Sequence, residues 1–204
     1  MFSSINRLVK SLGKRMKEPL PGSSAHLLTK VQSEIKFNFP YSSENPKKAS
    51  VLILLFPETD NIHFFLTQRT FSVEHHKGQI SLPGGMSEKN EQATNTALRE
   101  TEEEIGIDKD TIYIIGKLTK LYVPVSGFCI YPFVGWTNNI SRIKPSDEVE
   151  KIFNVPLSDL LNKNNEKHKQ KVLNNKLTKV PYFNLRNNEV WGATAMILSE
   201  FKKI

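Results

Sequence analysis

Apolar and polar positions follow several different spacings along the 204-residue chain, and each spacing predicts an element. In the first seventeen residues Phe2, Ile5, Leu8, Val9, Leu12 and Met16 recur at helical spacing, while Arg7, Lys10, Lys14, Arg15 and Lys17 fill the rest without an acid. That pattern predicts an amphipathic basic helix. Pro19, Pro21 and Gly22 end it, and a loop-like stretch through Pro40, Asn45 and Pro46 follows. Residues 1–48 therefore read as a helix and loop packed on a domain formed by residues 49–204. The same composition suits an organellar targeting segment or a membrane-surface helix, and that alternative stays open.

Val51 to Phe56 is a continuous apolar run, which predicts a strand buried on both faces. Glu58 to Asn61 reads as a turn and Ile62 to Gln68 as the returning strand. Asn90 to Ile105 has helical character and stops at Gly106, a residue suited to a C-terminal cap. Ile112 to Lys117, Lys120 to Val125 and Phe128 to Trp136 read as further strands, and Val155 to Leu161 as the opening of a short helix. Asn162 to Lys179, rich in Lys and Asn, reads as a solvated insertion, and Glu189 to Lys203 as a closing helix with Trp191 and Phe201 as core anchors. The sum is a mixed β-sheet covered by helices, of α/β or α+β class.

Composition narrows the function. With 28 Lys+Arg against 21 Asp+Glu the net charge is 28 − 21 = +7, yet 38% apolar residues describe an ordinary globular domain. The single cysteine, Cys129, excludes a disulfide scaffold and a cysteine zinc site, and its apolar strand makes it a buried small hydrophobe. The apolar runs fall short of the about 18 residues that cross a bilayer, so a soluble, cytoplasmic protein is expected. The Lys/Asn stretch lacks interleaved aromatics, which argues against a nucleic-acid track.

The chemistry concentrates between Gly84 and Ile107. At 100° per residue, Glu100, Glu103 and Glu104 fall on one helical face, and Ala97, Leu98, Thr101 and Ile105 on a neighbouring face that packs on the sheet. Three such carboxylates repel one another unless a cation sits among them. All-oxygen ligands select a hard ion, Mg²⁺ or Mn²⁺. The bland alternative is a solvated acidic helix. Spacing decides against it, because Gly85, Glu91, Arg99, Glu100, Glu103, Glu104, Gly106 and Ile107 stand in the register of the Nudix box, a chance match of about 10⁻⁹ per window.

The chain thus resembles the Nudix hydrolases, and the resemblance implies an α/β/α sandwich around a mixed sheet. It implies that Glu100, Glu103 and Glu104 bind metal with a backbone carbonyl of Gly84 or Gly85. Glu91 and Arg99 would brace the loop by ion pairing, with Gly85 and Gly106 as its structural glycines. Thr101 departs from a usually aliphatic position on the packing side. Family reactions cleave a diphosphate by attack of water at phosphorus. The general base varies; Asp147 and Glu148 are the candidates, with Glu148 preferred and a pair of solvated turn acids as the alternative.

Upstream, Leu66, Thr67, Arg69, Gly78, Pro83, Gly84 and Gly85 resemble the second signature of the coenzyme A diphosphatase branch. Phe65, Thr70, Glu74 and Leu82 depart from it, and Glu74 reverses a charge, leaving Lys77 or His76 as replacement cations. The resemblance implies coenzyme A or acyl-CoA as substrate, with 3′,5′-ADP and 4′-phosphopantetheine or its acyl form as products. Arg69, His75, His76, Lys77 and Gly78 would line the substrate side; the alternatives are an Arg69 that pairs with a box glutamate and shapes the loop, and an exposed pair of loop histidines. Alternatives are a hydrolase of another nucleoside diphosphate derivative, such as NADH, an ADP-sugar or an oxidised dNTP, and a non-catalytic nucleotide- or RNA-binding module. Monomer and homodimer are both compatible with the sequence.

Overall fold

The computed structural model describes residues 2–31, 44–59, 61–70, 78–141, 143–173 and 176–204. Its centre is the strand β1 (Lys47–Glu58), whose Leu52 to Phe56 are without solvent exposure. At about 1.5–3 kcal/mol for each large apolar side chain buried, this run anchors the fold. It has apolar neighbours on both faces because it lies inside the sheet, between β2 (Asn61–Arg69), antiparallel to it, and β7 (Phe128–Trp136), parallel to it over Lys47 to Leu55. Before β7 come β3 (Ile80–Ser81), β4 (Gly84–Met86), helix α1 (Phe2–Arg15), helix α2 (Ser23–His26), helix α3 (Ala93–Ile105), β5 (Tyr113–Lys117) and β6 (Leu121–Val123). The order across the sheet is β3-β2-β1-β7-β5, with β4 on β1, β6 on β7, and β8 (Val149–Pro156) on β2.

Alternation along β1 and β2 separates two apolar clusters. Leu52, Leu54, Phe56 and Phe65 face one side and pack with Ala97 and Ile105 of α3. Ile53, Leu55, Phe64 and Leu66 face the other and pack with Leu198 and Phe201 of the closing helix. The result is a mixed sheet between helical layers, the α+β architecture that the sequence predicts. Leu12 of α1 is buried in the second cluster, with Leu8 and Met16 against it. Met16 occupies the space that a side chain at Gly116 would fill, 3.1 Å from that absent Cβ. Among the described residues no helix is long and apolar enough to cross a membrane. The loop expected around Pro40 lies outside the described residues.

Several elements differ from the reading above. Helix α3 starts at Ala93 rather than Asn90, because Asn90 is left-handed (φ 64°) and the Glu91 carboxylate is used in the loop instead. Val155 and Pro156 end β8 instead of opening a helix: Val155 pairs with Phe64, and Pro156 is tolerated because β8 is an outer strand. Only Leu157–Leu161 form helix α4. The expected insertion is a hairpin of β9 (Glu166–Leu173) and β10 (Lys176–Leu185), and β11 (Asn188–Trp191) completes a second, three-stranded sheet. The lysines that disguise it lie over rings, Lys169 over Tyr182 at 5.4 Å and Lys171 over Trp191 at 4.1 Å. Trp191 is accordingly half-buried, and the closing helix α5 begins only at Gly192 (Gly192–Phe201). The β10–β11 turn holds Arg186 and Asn187 at φ 52° and 62°, a conformation that asparagine accepts and that costs arginine about 1–2 kcal/mol.

Glu200 of α5 is without solvent exposure and satisfies itself from three directions. It accepts from the Gly22 N–H (3.1 Å) and the Thr119 hydroxyl (2.6 Å), and meets His26 Nε2 at 3.0 Å. Burial alone would push its carboxyl up, but the His26 and Thr119 hydrogen bonds hold it below the usual value. The segment following α1 is thereby tied to the closing helix.

Candidate active site

Strand β4, the loop Ser87 to Gln92 and helix α3 form a strand-loop-helix unit that presents its acids outward. Helix α3 stops where the sequence predicts: Gly106 takes a left-handed conformation (φ 75°) and its N–H returns to the Glu102 carbonyl at 2.9 Å. Ala97, Thr101 and Ile105 are buried. Thr101 satisfies its hydroxyl on the Ala97 carbonyl at 2.6 Å, so the departure at this position brings no unpaired polar group into the core.

Arg99 organises the acids. Its Nε donates to Glu91 Oε1 (2.9 Å) and its Nη1 to both Glu100 Oε1 and Glu103 Oε2 (2.9 Å each). Nη2 donates to Glu91 Oε2 and to the Met86 carbonyl. Glu91 also receives the Glu88 N–H and the Thr96 hydroxyl. The Arg99 guanidinium is the main reason that the Glu91 carboxyl is lowered to about 2. Arginine is pushed above its ordinary value by the same contacts, Glu91 first.

The three acids of the outward face differ. Glu103 is exposed, its side chain 57% accessible. Glu100 is shielded, and burial raises its carboxyl above the usual value. It rests against Gly85, where a Cβ would fall 2.2 Å from Glu100 Oε2. Glu104 is buried; it accepts the Gly84 N–H at 3.2 Å, and burial pushes its carboxyl up to about 7. Arg99 draws Glu100 and Glu103 to one nitrogen while Gly84 and Arg69 hold Glu104, so among the described residues no three metal-ligating side chains converge on one point. Their chemistry nevertheless fits a hard divalent cation: three carboxylates, all oxygen, beside a glycine whose missing side chain leaves Glu100 room.

Arg69, at the end of β2, faces this group. Its Nη1 lies 3.9 Å from Glu104 Oε1 and its Nη2 2.9 Å from Glu148 Oε2. The unpredicted strand β8 accounts for that contact, since Val149 pairs with Arg69 and the Thr70 N–H donates to the Glu148 carbonyl. The preceding segment is fixed on the helix end by the Lys144 and Ser146 N–H groups, which donate to the Ile105 and Glu104 carbonyls. Glu148 is thus brought to the acidic face, while neighbouring Asp147 is exposed and makes no hydrogen bond or ion pair among the described residues. Gly78, left-handed at φ 64°, closes on Arg69 through its N–H. Glu74, His75, His76 and Lys77 lie outside the described residues.

The unit gathers one arginine-clamped cluster of acids, one buried carboxyl near neutrality and one arginine-linked acid from a separate strand. Such a set can hold cations, position an anionic group and take up a proton. A family model for the NUDIX domain matches residues 46–175. "Nudix hydrolase 15, mitochondrial" from Arabidopsis thaliana is 31% identical over 185 residues, 83% of this chain and 65% of that protein. "Nudix hydrolase 3" from Caenorhabditis elegans is 34% identical over 118 residues, 56% of this chain. The chain spans 49% to 65% of the length of these two relatives. An "Uncharacterized Nudix hydrolase NudL" from Photorhabdus laumondii is 30% identical and spanned over 84% of its length. Among solved structures, a MutT/nudix family protein from Enterococcus faecalis shares the fold at a TM-score of 0.51 and 16% identity, over 84% of this chain and 64% of that one.

Proposed function

From the premise that this chain belongs to the NUDIX family, we propose that it hydrolyses the diphosphate bond of coenzyme A or acyl-CoA with Mg²⁺ or Mn²⁺. Water attacks one phosphorus, the bond to the bridging oxygen breaks, and the products are 3′,5′-ADP and 4′-phosphopantetheine or its acyl form. Glu100, Glu103 and Glu104 are the residues to hold the metal, which supplies charge neutralisation at the diphosphate and an acidified water when bound. Arg69 orients the substrate phosphates and, through its ion pair, holds Glu148 in reach of the acidic face. Glu148 accepts the proton of the attacking water on a carboxylate oxygen. Arg99 keeps Glu100 and Glu103 in place before metal arrives, without which their repulsion would spread them.

The observation that carries this reading is Arg69. The arginine of the coenzyme A signature lies beside Glu104, so the signature and the box address one face of the molecule. A binding module would have no need for three mutually repelling carboxylates, which favours an enzyme over a silent nucleotide- or RNA-binding domain. Incubation with Mg²⁺ or Mn²⁺ and a panel of coenzyme A, NADH, ADP-ribose and 8-oxo-dGTP tests it. Coenzyme A is expected to be cleaved with the highest kcat/KM. Faster turnover of another panel member overturns the specificity, and no turnover of any overturns the activity.

A further inference from the structure

Strand β8 alternates between the two faces of the sheet, with Ile152 packed in the cluster beneath α3 and Phe153 in the cluster on the opposite side. Lys151 shares the side of Phe153, two residues away along an outer strand. On that side, away from the acids of α3, β8 and the β10–β11 turn border an open, shallow cleft of about 510 Å³. Its volume is in the range of small-molecule sites. Lys151 and Phe153 line it from β8 and Arg186, Asn187 and Asn188 from the turn, and among the described residues no carboxylate lines it.

Neither cation is in an ion pair among the described residues. Lys151 lies 5.1 Å from the centre of the Phe153 ring and forms no ion pair among the described residues. Arg186 uses only Nε, which donates to the Asn154 carbonyl at 3.3 Å and so spans from the turn to the strand. Its terminal Nη groups have no partner among the described residues and remain free to chelate an anion. The turn puts this arginine in a left-handed conformation where asparagine or glycine would be unstrained. Asn187 adds an amide, a group that both donates and accepts, and Asn188, whose Nδ2 already donates to the Arg186 carbonyl at 2.8 Å, adds its amide oxygen, on a cleft that Phe153 also lines.

We propose that this cleft is a binding site for a mononucleotide, its phosphate between Lys151 and Arg186 and its base at the Asn187–Asn188 edge beside Phe153. Unlike the acidic face, it offers its own cations to the phosphate and needs no metal. Its occupancy is therefore separable from the reaction proposed above.

Titration calorimetry on the full chain in excess EDTA tests this, with AMP, adenosine and inorganic phosphate as probes. AMP is expected to bind at one site per chain and more tightly than either fragment. Lys151→Met keeps the aliphatic stem, and Arg186→Asn suits the left-handed turn, so both variants retain the fold; each is expected to weaken AMP about tenfold. Glu103→Gln is expected to leave AMP binding unchanged. Absence of AMP binding without metal, equal binding by the double variant, or loss of binding in Glu103→Gln would overturn the proposal.

Discussion

The carboxylate of Glu100 lies against the bare backbone of Gly85, where a Cβ would stand 2.2 Å from Oε2. The obstructing atoms are the far end of a side chain, which can move. Gly85→Ala is therefore expected to fold with a melting temperature close to that of the parent but to lose about 10²-fold or more in kcat/KM, the scale of a displacement near 1 Å in a reacting group. At Gly84 the obstruction is backbone instead, Ser50 O at 2.2 Å, and φ is 146°. Gly84→Ala is expected to fail in stability, read as a large fall in melting temperature. Equal thermal loss in the two variants would contradict this division.

Arg99 is the shared counter-charge of Glu91, Glu100 and Glu103, with its own side chain 23% exposed. Arg99→Ala should cost roughly 2–3 kcal/mol, about 5–10 °C in melting temperature for a chain of this size. Added Mg²⁺ should recover more of that loss in the variant than it adds to the parent, since a cation then replaces the guanidinium. Scanning calorimetry with EDTA or with Mg²⁺ distinguishes the two cases.

Burial raises Glu104 from the ordinary 4.5 to about 7, so the folded chain binds its proton where the unfolded chain has released it. Folding therefore loses stability as pH rises from about 4.5 to about 7 and changes little above that, by an amount on the order of 2–3 kcal/mol. Urea midpoints for metal-free protein at pH 5 and pH 8 should show this decline. Glu104→Gln, which keeps an acceptor for the Gly84 N–H, should flatten it; an unchanged slope would show that another group is responsible.

Glu148 and Asp147 are adjacent, but only Glu148 is held at the acidic face. Glu148→Gln is expected to lower kcat about 10²–10⁴-fold, the usual contribution of a general base, with little change in KM. Asp147→Asn should stay within about twofold of the parent in the same steady-state assay. The reverse ranking would reassign the base.

Which parts of this were legible in the sequence follows from what each signal encodes. The apolar run Val51 to Phe56 and the glycine stop at Gly106 are local patterns with one physical solution, and both appear as read except that Val51 is half-buried. The hairpin of β9 and β10 escaped because its alternation is written in lysines whose stems cover Tyr182 and Trp191, and residue type alone does not reveal a ring on another strand. Spacing placed Glu100, Glu103 and Glu104 on one face. It gave no sign that Arg99 would join two of them at one nitrogen while Glu104 turned to Gly84, because that depends on where β4 lies. Strand β8, which brings Glu148 to Arg69, is too mixed in burial to stand out from its composition.

The knot of contacts at Glu200 bears on how much of the amino-terminal segment is dispensable. Gly22 and His26 both serve that carboxylate, whereas α1 ends at Arg15 and contributes apolar burial through Leu12, with Leu8 against it. Proteolytic trimming that stops before Gly22 leaves the buried charge with all its partners. A cut beyond His26 would leave the buried carboxylate with Thr119 alone and without its one cationic partner, a loss on the order of 3 kcal/mol. Gly22 thus marks where the amino-terminal segment passes from apolar cover to a strap that serves a buried charge.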